Sequence, residues 1–119
     1  MARVLVLDDE EDACLLIKRM LEKTGHEVSL FTRARDALDW AANAKPAIAI
    51  VEIGSQQASG IPIFNKLKAC NDNMKLILTA GYLTSRITKK AKDLGADACL
   101  VKPIEMDKLE KIVNEVLET

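Results

Sequence analysis

Ala47-Ile-Ala-Ile-Val-Glu52 is a short apolar run that stops at a single carboxylate, and the loop Ile53-Gly-Ser-Gln-Gln-Ala-Ser-Gly60 follows it. Pro46 stands before it and Gly60 soon after. A continuous apolar run of this length, bounded by turn residues, reads as a strand buried on both faces. In a parallel sheet covered by helices, ligands and chemistry collect at the carboxyl ends of such strands. Glu52 therefore stands where a reactive group is expected.

Similar runs recur on both sides. Arg3-Val-Leu-Val-Leu7 ends at Asp8-Asp9-Glu10-Glu11-Asp12, and Glu27-Val-Ser-Leu-Phe31 alternates as a strand nearer a sheet edge would. Lys75-Leu-Ile-Leu-Thr79 and Ala98-Cys-Leu-Val101 complete a set of five, the last followed by Lys102-Pro103. Between them lie helical spacings. Ala13–Thr24 carries apolar residues at 13, 16, 17, 20 and 21, with acidic residues at the positive end of its dipole and Gly25 as a stop. Arg33–Asn43 follows with Thr32 as its cap and Ala34, Leu38 and Ala41 or Ala42 on one face. Ile61–Cys70 turns Ile63, Phe64 and Leu67 inward and tolerates Pro62 in its first turn. Ser85–Leu94 ends at Gly95, and Met106–Leu117 repeats Met106, Leu109, Ile112, Val113 and Val116.

Five strands alternating with five helices imply βαβ units and a parallel sheet with right-handed crossovers. The expected fold is α/β, a flavodoxin-like doubly wound (βα)5 with strand order 2-1-3-4-5 and helices on both faces. The first and third strands then lie side by side at the switch point. Asp8, Asp9, Glu52, Thr79 and Lys102 converge on one rim. Three carboxylates there make a hard-oxygen pocket suited to Mg²⁺, and their mutual repulsion requires a divalent ion, Lys102 or a raised pKa in compensation.

The whole chain narrows the class. At 119 residues it is read as one domain, residues 1–119, large enough for one core. A net charge of −1 supplies neither the basic excess for nucleic acid nor an acidic tail. Cys14, Cys70 and Cys99 are scattered and His26 stands alone, which fits reduced thiols in a cytoplasmic protein. No stretch approaches the roughly 18 apolar residues of a membrane span. His26 is expected to be exposed, Phe31, Trp40 and Phe64 to pack, and Lys89, Lys90 and Lys92 to form a solvated helix face or a docking surface.

Leu5-Val-Leu-Asp-Asp-Glu10, the strand ending at 52, Gly60, Leu78-Thr-Ala80 and Gly95-Ala-Asp-Ala-Cys-Leu-Val-Lys-Pro103 together resemble the receiver (CheY-like) domains of two-component response regulators. The resemblance covers essentially the whole chain. It implies that Asp8 and Asp9 bind Mg²⁺ together with the residue-52 carboxylate and the Gly54 carbonyl. It also implies that Thr79 and Lys102 contact phosphoryl oxygens and that position 52 accepts a phosphoryl group from a histidine kinase. Lys102-Pro103 becomes a candidate cis peptide. The implied partner face is the fourth helix, fifth strand and fifth helix, met by a kinase or a downstream effector. The chain is expected to be a monomer or weak dimer, and not an enzyme.

Three positions depart from the family pattern. Glu52 replaces the phosphoacceptor aspartate, Cys99 replaces the aromatic switch residue, and Gln56 stands where proline is common. The longer Glu52 arm either takes the place of a phosphoryl oxygen against Lys102 or Thr79, or folds against the acidic pair through a metal. Mg²⁺ binding is accordingly expected to be weak or absent. Cys99 is read as a buried core residue, with Tyr82 as a candidate substitute aromatic. The leading expectation is an atypical receiver acting by protein contact, either a stand-alone regulator or one removed from a longer chain. The alternatives are a receiver still phosphorylated at Glu52 or a neighbouring aspartate, and a flavin or nucleotide module of the same topology, which the acidic first loop disfavours.

Overall fold

A computed structural model describes residues 2–53, 60–82 and 84–118. The strands are β1 (Arg3–Leu7), β2 (Glu27–Phe31), β3 (Ile48–Glu52), β4 (Lys75–Ala80) and β5 (Ala98–Val101). The helices are α1 (Glu11–Glu22), α2 (Ala34–Ala44), α3 (Gly60–Cys70), α4 (Ser85–Asp93) and α5 (Met106–Glu118). All four strand pairings are parallel and the order is β2-β1-β3-β4-β5, the expected flavodoxin-like arrangement.

Side-chain alternation divides the core into two layers. Val4, Val6, Ile48, Ile50 and Ile77 face α1 and α5, where Ile17, Leu21, Leu109 and Val113 meet them. Leu5, Leu7, Ala49, Val51, Leu76 and Leu78 point the other way, onto Ala37, Ala41, Ile63, Leu67 and Ala91 of α2, α3 and α4. Every residue of β3 is buried, which explains its unbroken apolar run. A fully buried side chain such as Leu67 contributes about 1.5–3 kcal/mol through its removal from water.

Several local expectations are corrected. Helix α1 begins at Glu11, two residues before Ala13, because Glu11 and Asp12 suit the dipole of its first turn. Its buried stripe is Cys14, Ile17, Met20 and Leu21, so Leu16 falls off the stripe and is 49% exposed. Thr32 does not cap α2: the cap position is Arg33, without a side-chain cap bond, since Thr32 lies one residue too early. Ala37 and Ala41 are the fully buried contacts of α2, with Ala34 and Leu38 partly buried at the edge. His26 is partly buried, its Nδ1 accepting the Ala2 N–H at 3.2 Å. The Phe31 and Trp40 rings pack at 5.5 Å, as expected.

The turn into β5 depends on backbone chemistry. Thr84 caps α4, its Oγ1 accepting the Ile87 N–H at 3.1 Å. Gly95, just past the Leu94 C-cap, takes φ +82°, a left-handed conformation that glycine adopts without a Cβ penalty. The chain then passes through β5 to Lys102, and the Lys102-Pro103 peptide is cis.

Candidate functional site

The strand ends deliver the expected residues to one rim. Glu52 closes β3, and its register partner on β4 is Thr79. Asp8 follows β1 and Lys102 follows β5, each anchored by a backbone bond, Asp8 N–H to Phe31 O at 3.1 Å and Lys102 N–H to Ala80 O at 2.8 Å. Asp8 and Thr79 are almost wholly buried and Glu52 is 8% exposed. Gly54 and Gln56 lie outside the described residues.

Asp8 is oriented by its own turn. Its Oδ1 accepts the Glu10 N–H at 2.9 Å, the local pattern by which an aspartate folds back on the chain two residues on. That leaves Oδ2 facing the pocket, buried and 2.8 Å from Lys102 Nζ, an ion pair without the geometry of a directed hydrogen bond. Lys102 Nζ also donates to Glu52 Oε2 and stands 3.6 Å from Glu10 Oε1. The Lys102 side chain is 17% exposed, so the Asp8 and Glu52 contacts are shielded, whereas the mostly exposed Glu10 adds little.

Burial alone would lower the pKa of the Lys102 ammonium. The Asp8 and Glu52 carboxylates outweigh that effect and hold it above the ordinary lysine value. Lys102 is thus a fixed positive charge at the centre of the rim. Beneath it, Cys14 Sγ donates to Asp8 O at 3.4 Å. Burial, aided by the Asp8 charge, pushes the Cys14 thiol up to about 11, which leaves it inert as a nucleophile.

Cys99 is corrected from buried core to partly buried. It packs against the α2–α4 layer while lining a groove of about 600 Å³ with Val101, Pro103 and Ile112. A small side chain near the end of a four-residue strand cannot close that groove. Burial raises its pKa, so Cys99 is a thiol without thiolate character. Tyr82 is 68% exposed and does not stand in for a buried aromatic. The structure also brings in two residues that sequence reasoning did not single out, Glu10 and Cys14. Glu10 was hidden within an acidic run, and Cys14 was read only as one of three scattered thiols, off the apolar stripe of the first helix.

The donor chemistry suits a hard divalent ion. Ligand oxygens of Asp8, Asp9, Glu10 and Glu52 all lie within 4.8 Å of one another, and the buried Asp8 Oδ2 lacks a directed hydrogen bond. These residues fit Mg²⁺, which when bound would neutralise the carboxylates and offset the charge of an incoming anion.

Comparison with known proteins agrees with this geometry. The family model described as the response regulator receiver domain matches residues 4–114. The chain is 23% identical over 115 residues to sporulation initiation phosphotransferase F of Bacillus subtilis, covering 97% of this chain and 93% of that protein. It is 24% identical over 114 residues to the transcriptional regulatory protein ZraR of Escherichia coli, covering 96% of this chain but spanning only 26% of that longer protein. Among solved structures, chemotaxis protein CheY4 of Vibrio cholerae superposes with a TM-score of 0.89 at 23% identity, over 98% of each chain. A CheY-like receiver domain protein from Methanospirillum hungatei gives 0.86 at 28% identity, over 99% of this chain and 95% of that one. No helix among the described residues is long and apolar enough to cross a membrane. Receiver domains typically hold Mg²⁺ at an acidic pocket, interact with histidine kinases and effector domains, and are generally signalling modules without enzymatic activity. This chain belongs to that family, as a response regulator receiver domain of two-component signalling.

Proposed function

We propose that this receiver domain signals by protein–protein contact, with phosphoryl transfer to position 52 impaired or absent. The supporting observation is the engagement of Glu52 by Lys102. In the resembling family, the corresponding lysine meets the phosphoryl oxygens. Here its ammonium is already held by the carboxylate that would have to receive the group.

Reach is the physical reason. Glutamate carries its carboxylate one methylene farther than aspartate, and a misplacement of about 1 Å at a reacting centre costs on the order of a hundredfold in rate. The displaced carboxylate also fills space that a phosphoryl group needs. It brings a charge of −1 where a phosphoryl group brings roughly −1.5 to −2 and three acceptor oxygens, so any imitation of the phosphorylated state is partial. Without the aromatic at position 99, the family's rotation of a ring into the core has no counterpart. Asp8 and Asp9 remain as metal ligands, Lys102 as the ionic partner of Glu52, and Thr79 as its register neighbour on β4. The protein catalyses no reaction of its own in this reading. A kinase or effector docks on α4, β5 and α5, where Val101 of β5 and the cationic Lys89 and Lys90 of α4 are exposed.

The test is covalent. Protein incubated with acetyl phosphate and Mg²⁺ should show no acid-stable, base-labile mass gain, while Glu52→Asp should acquire one. A rapid stoichiometric gain mapping to Glu52 in the unaltered protein would overturn the proposal.

A further inference from the structure

The sheet ends at β5, and among the described residues no strand lies beyond it. The Lys102 N–H turns inward to Ala80 O, so alternation along the strand turns the N–H and C=O groups of Cys99 and Val101 outward. Pro103, next in that outward series, has no N–H to offer and ends the row. A groove of about 600 Å³ follows this edge, lined by Cys99, Leu100 and Val101 of β5 and by Lys108, Lys111 and Ile112 of α5. An edge of this kind is a template for another strand.

The charges flanking the edge select its occupant. Leu100 turns to the α5 layer, whereas Cys99 joins the layer that holds Ala91 of α4, so the two helices flank β5 from opposite faces. Arg86, Lys89, Lys90 and Lys92 of α4 are all exposed, against the single acidic residue of that helix, Asp93. On the α5 side Lys108 and Lys111 stand with Glu105 and Glu115, and the Lys108–Glu105 pair is exposed. Lys102 is engaged by Asp8 and Glu52. The balance around the edge is therefore positive. A second copy added edge to edge about a two-fold axis would set α4 against its own cations, which disfavours self-pairing.

We propose that β5 receives an extended acidic segment of a partner protein as a sixth strand, hydrogen-bonded to the backbone of Cys99 and Val101. This rests on the reading that a partner docks on α4, β5 and α5, and it names the conformation and charge of the segment that does so. Main-chain bonds supply the attachment, and side chains alternating between the two faces supply the selectivity. Apolar residues of the added strand enter the groove on the α5 side, against Leu100 and Ile112. Its carboxylates occupy the other face, past Cys99 and Val101, toward the α4 cations. The small Cys99 side chain assists by leaving the groove open. Because the outward row stops at Pro103, the contact is short and the complex transient.

The experiment titrates the unaltered protein with a short synthetic peptide alternating Val and Glu, capped at both ends, and follows amide NMR and hydrogen exchange without a phosphodonor. The Cys99 and Val101 amides should shift, and at saturation exchange at least ~tenfold more slowly, because they become hydrogen-bonded. N-methylation of the peptide at alternate residues blocks one edge of its strand, so methylating either every Val or every Glu should abolish binding in one of the two cases. Replacing Glu by Lys in the peptide should weaken binding at least ~tenfold, since like charges then face α4. These comparisons alter the peptide alone, so no protein variant has to fold. Cys99 and Val101 amides that stay still at millimolar peptide overturn the proposal, as does equal binding by both N-methylated peptides or by the Lys peptide. Protection of the same amides on raising protein concentration alone would assign the edge to a second copy and overturn it too. Shifts confined to α4 and α5 overturn strand addition while leaving the docking face of the proposed function in place.

Discussion

Replacing Lys102 by methionine keeps most of the side chain's length and removes its charge. Asp8 at 2% exposure and Glu52 at 8% then face each other without the ammonium that both contact. Breaking a buried pair by deleting one partner costs about 3–5 kcal/mol, because an uncompensated buried charge remains. Lys102 is itself 17% exposed and water can enter beside Glu10, which places the expected cost at the low end, about 3 kcal/mol. With an unfolding entropy of about 2.1 cal/mol/K per residue over 119 residues, that loss lowers Tm by about 12 °C. The assay is urea and thermal unfolding followed by circular dichroism, in EDTA so that no divalent ion replaces the lost charge. Glu52→Gln in the same background should recover much of the loss, since the two residues form one interacting unit. If Lys102→Met unfolds within about 0.5 kcal/mol of the unaltered protein, the range of ordinary surface changes, the ammonium is not what balances these carboxylates.

The single imidazole offers a pH test. Burial lowers the pKa of His26 below its ordinary 6.5, and its neutral Nδ1 accepts the Ala2 N–H. A base whose pKa falls on folding contributes stability above its unfolded pKa, and that contribution is lost as pH drops through the folded value. The NMR titration of His26 should therefore have its midpoint below 6.5, and a midpoint at or above 6.5 contradicts the assignment. At the start of α4, Thr84→Ala removes the bond to the Ile87 N–H and should cost about 1 kcal/mol in chemical denaturation, while Thr84→Asp, which keeps an acceptor, should retain most of it.

The fold was legible because β-strands advertise themselves by short apolar runs with abrupt polar ends. Arg3–Leu7, Glu27–Phe31 and Ala98–Val101 have the bounds read from sequence, and β4 extends only to Ala80. Helix starts were less legible. Glu11 and Asp12 look like loop residues until the dipole that favours them is formed, and Leu16 matches the apolar periodicity yet faces outward. The rim residues were foreseeable from topology alone, because a parallel sheet brings successive strand ends to one side. Their pairing was not. That Lys102 divides itself between Asp8 and Glu52 depends on side-chain paths, as does the inward turn of Asp8 Oδ1 toward the Glu10 N–H. Cys99 shows the converse error, an apolar residue read as core whose small size leaves its strand partly uncovered.

The strand order makes side-chain length the deciding variable. Lys102 follows β5 and Glu52 ends β3, with β4 and its buried Thr79 between them. Two inter-strand spacings separate the backbones by about 9–10 Å, and register fixes that distance whatever residue stands at 52. The gap must be crossed by the lysine stem from one side and a carboxylate from the other. An aspartate leaves more of it open, room in which a third group can stand between carboxylate and ammonium. Glutamate advances its oxygens into that room, and the ammonium meets them directly while also holding Asp8. The added methylene brings the position-52 oxygens to an ammonium that also reaches Asp8, and the two buried carboxylates are bridged from within.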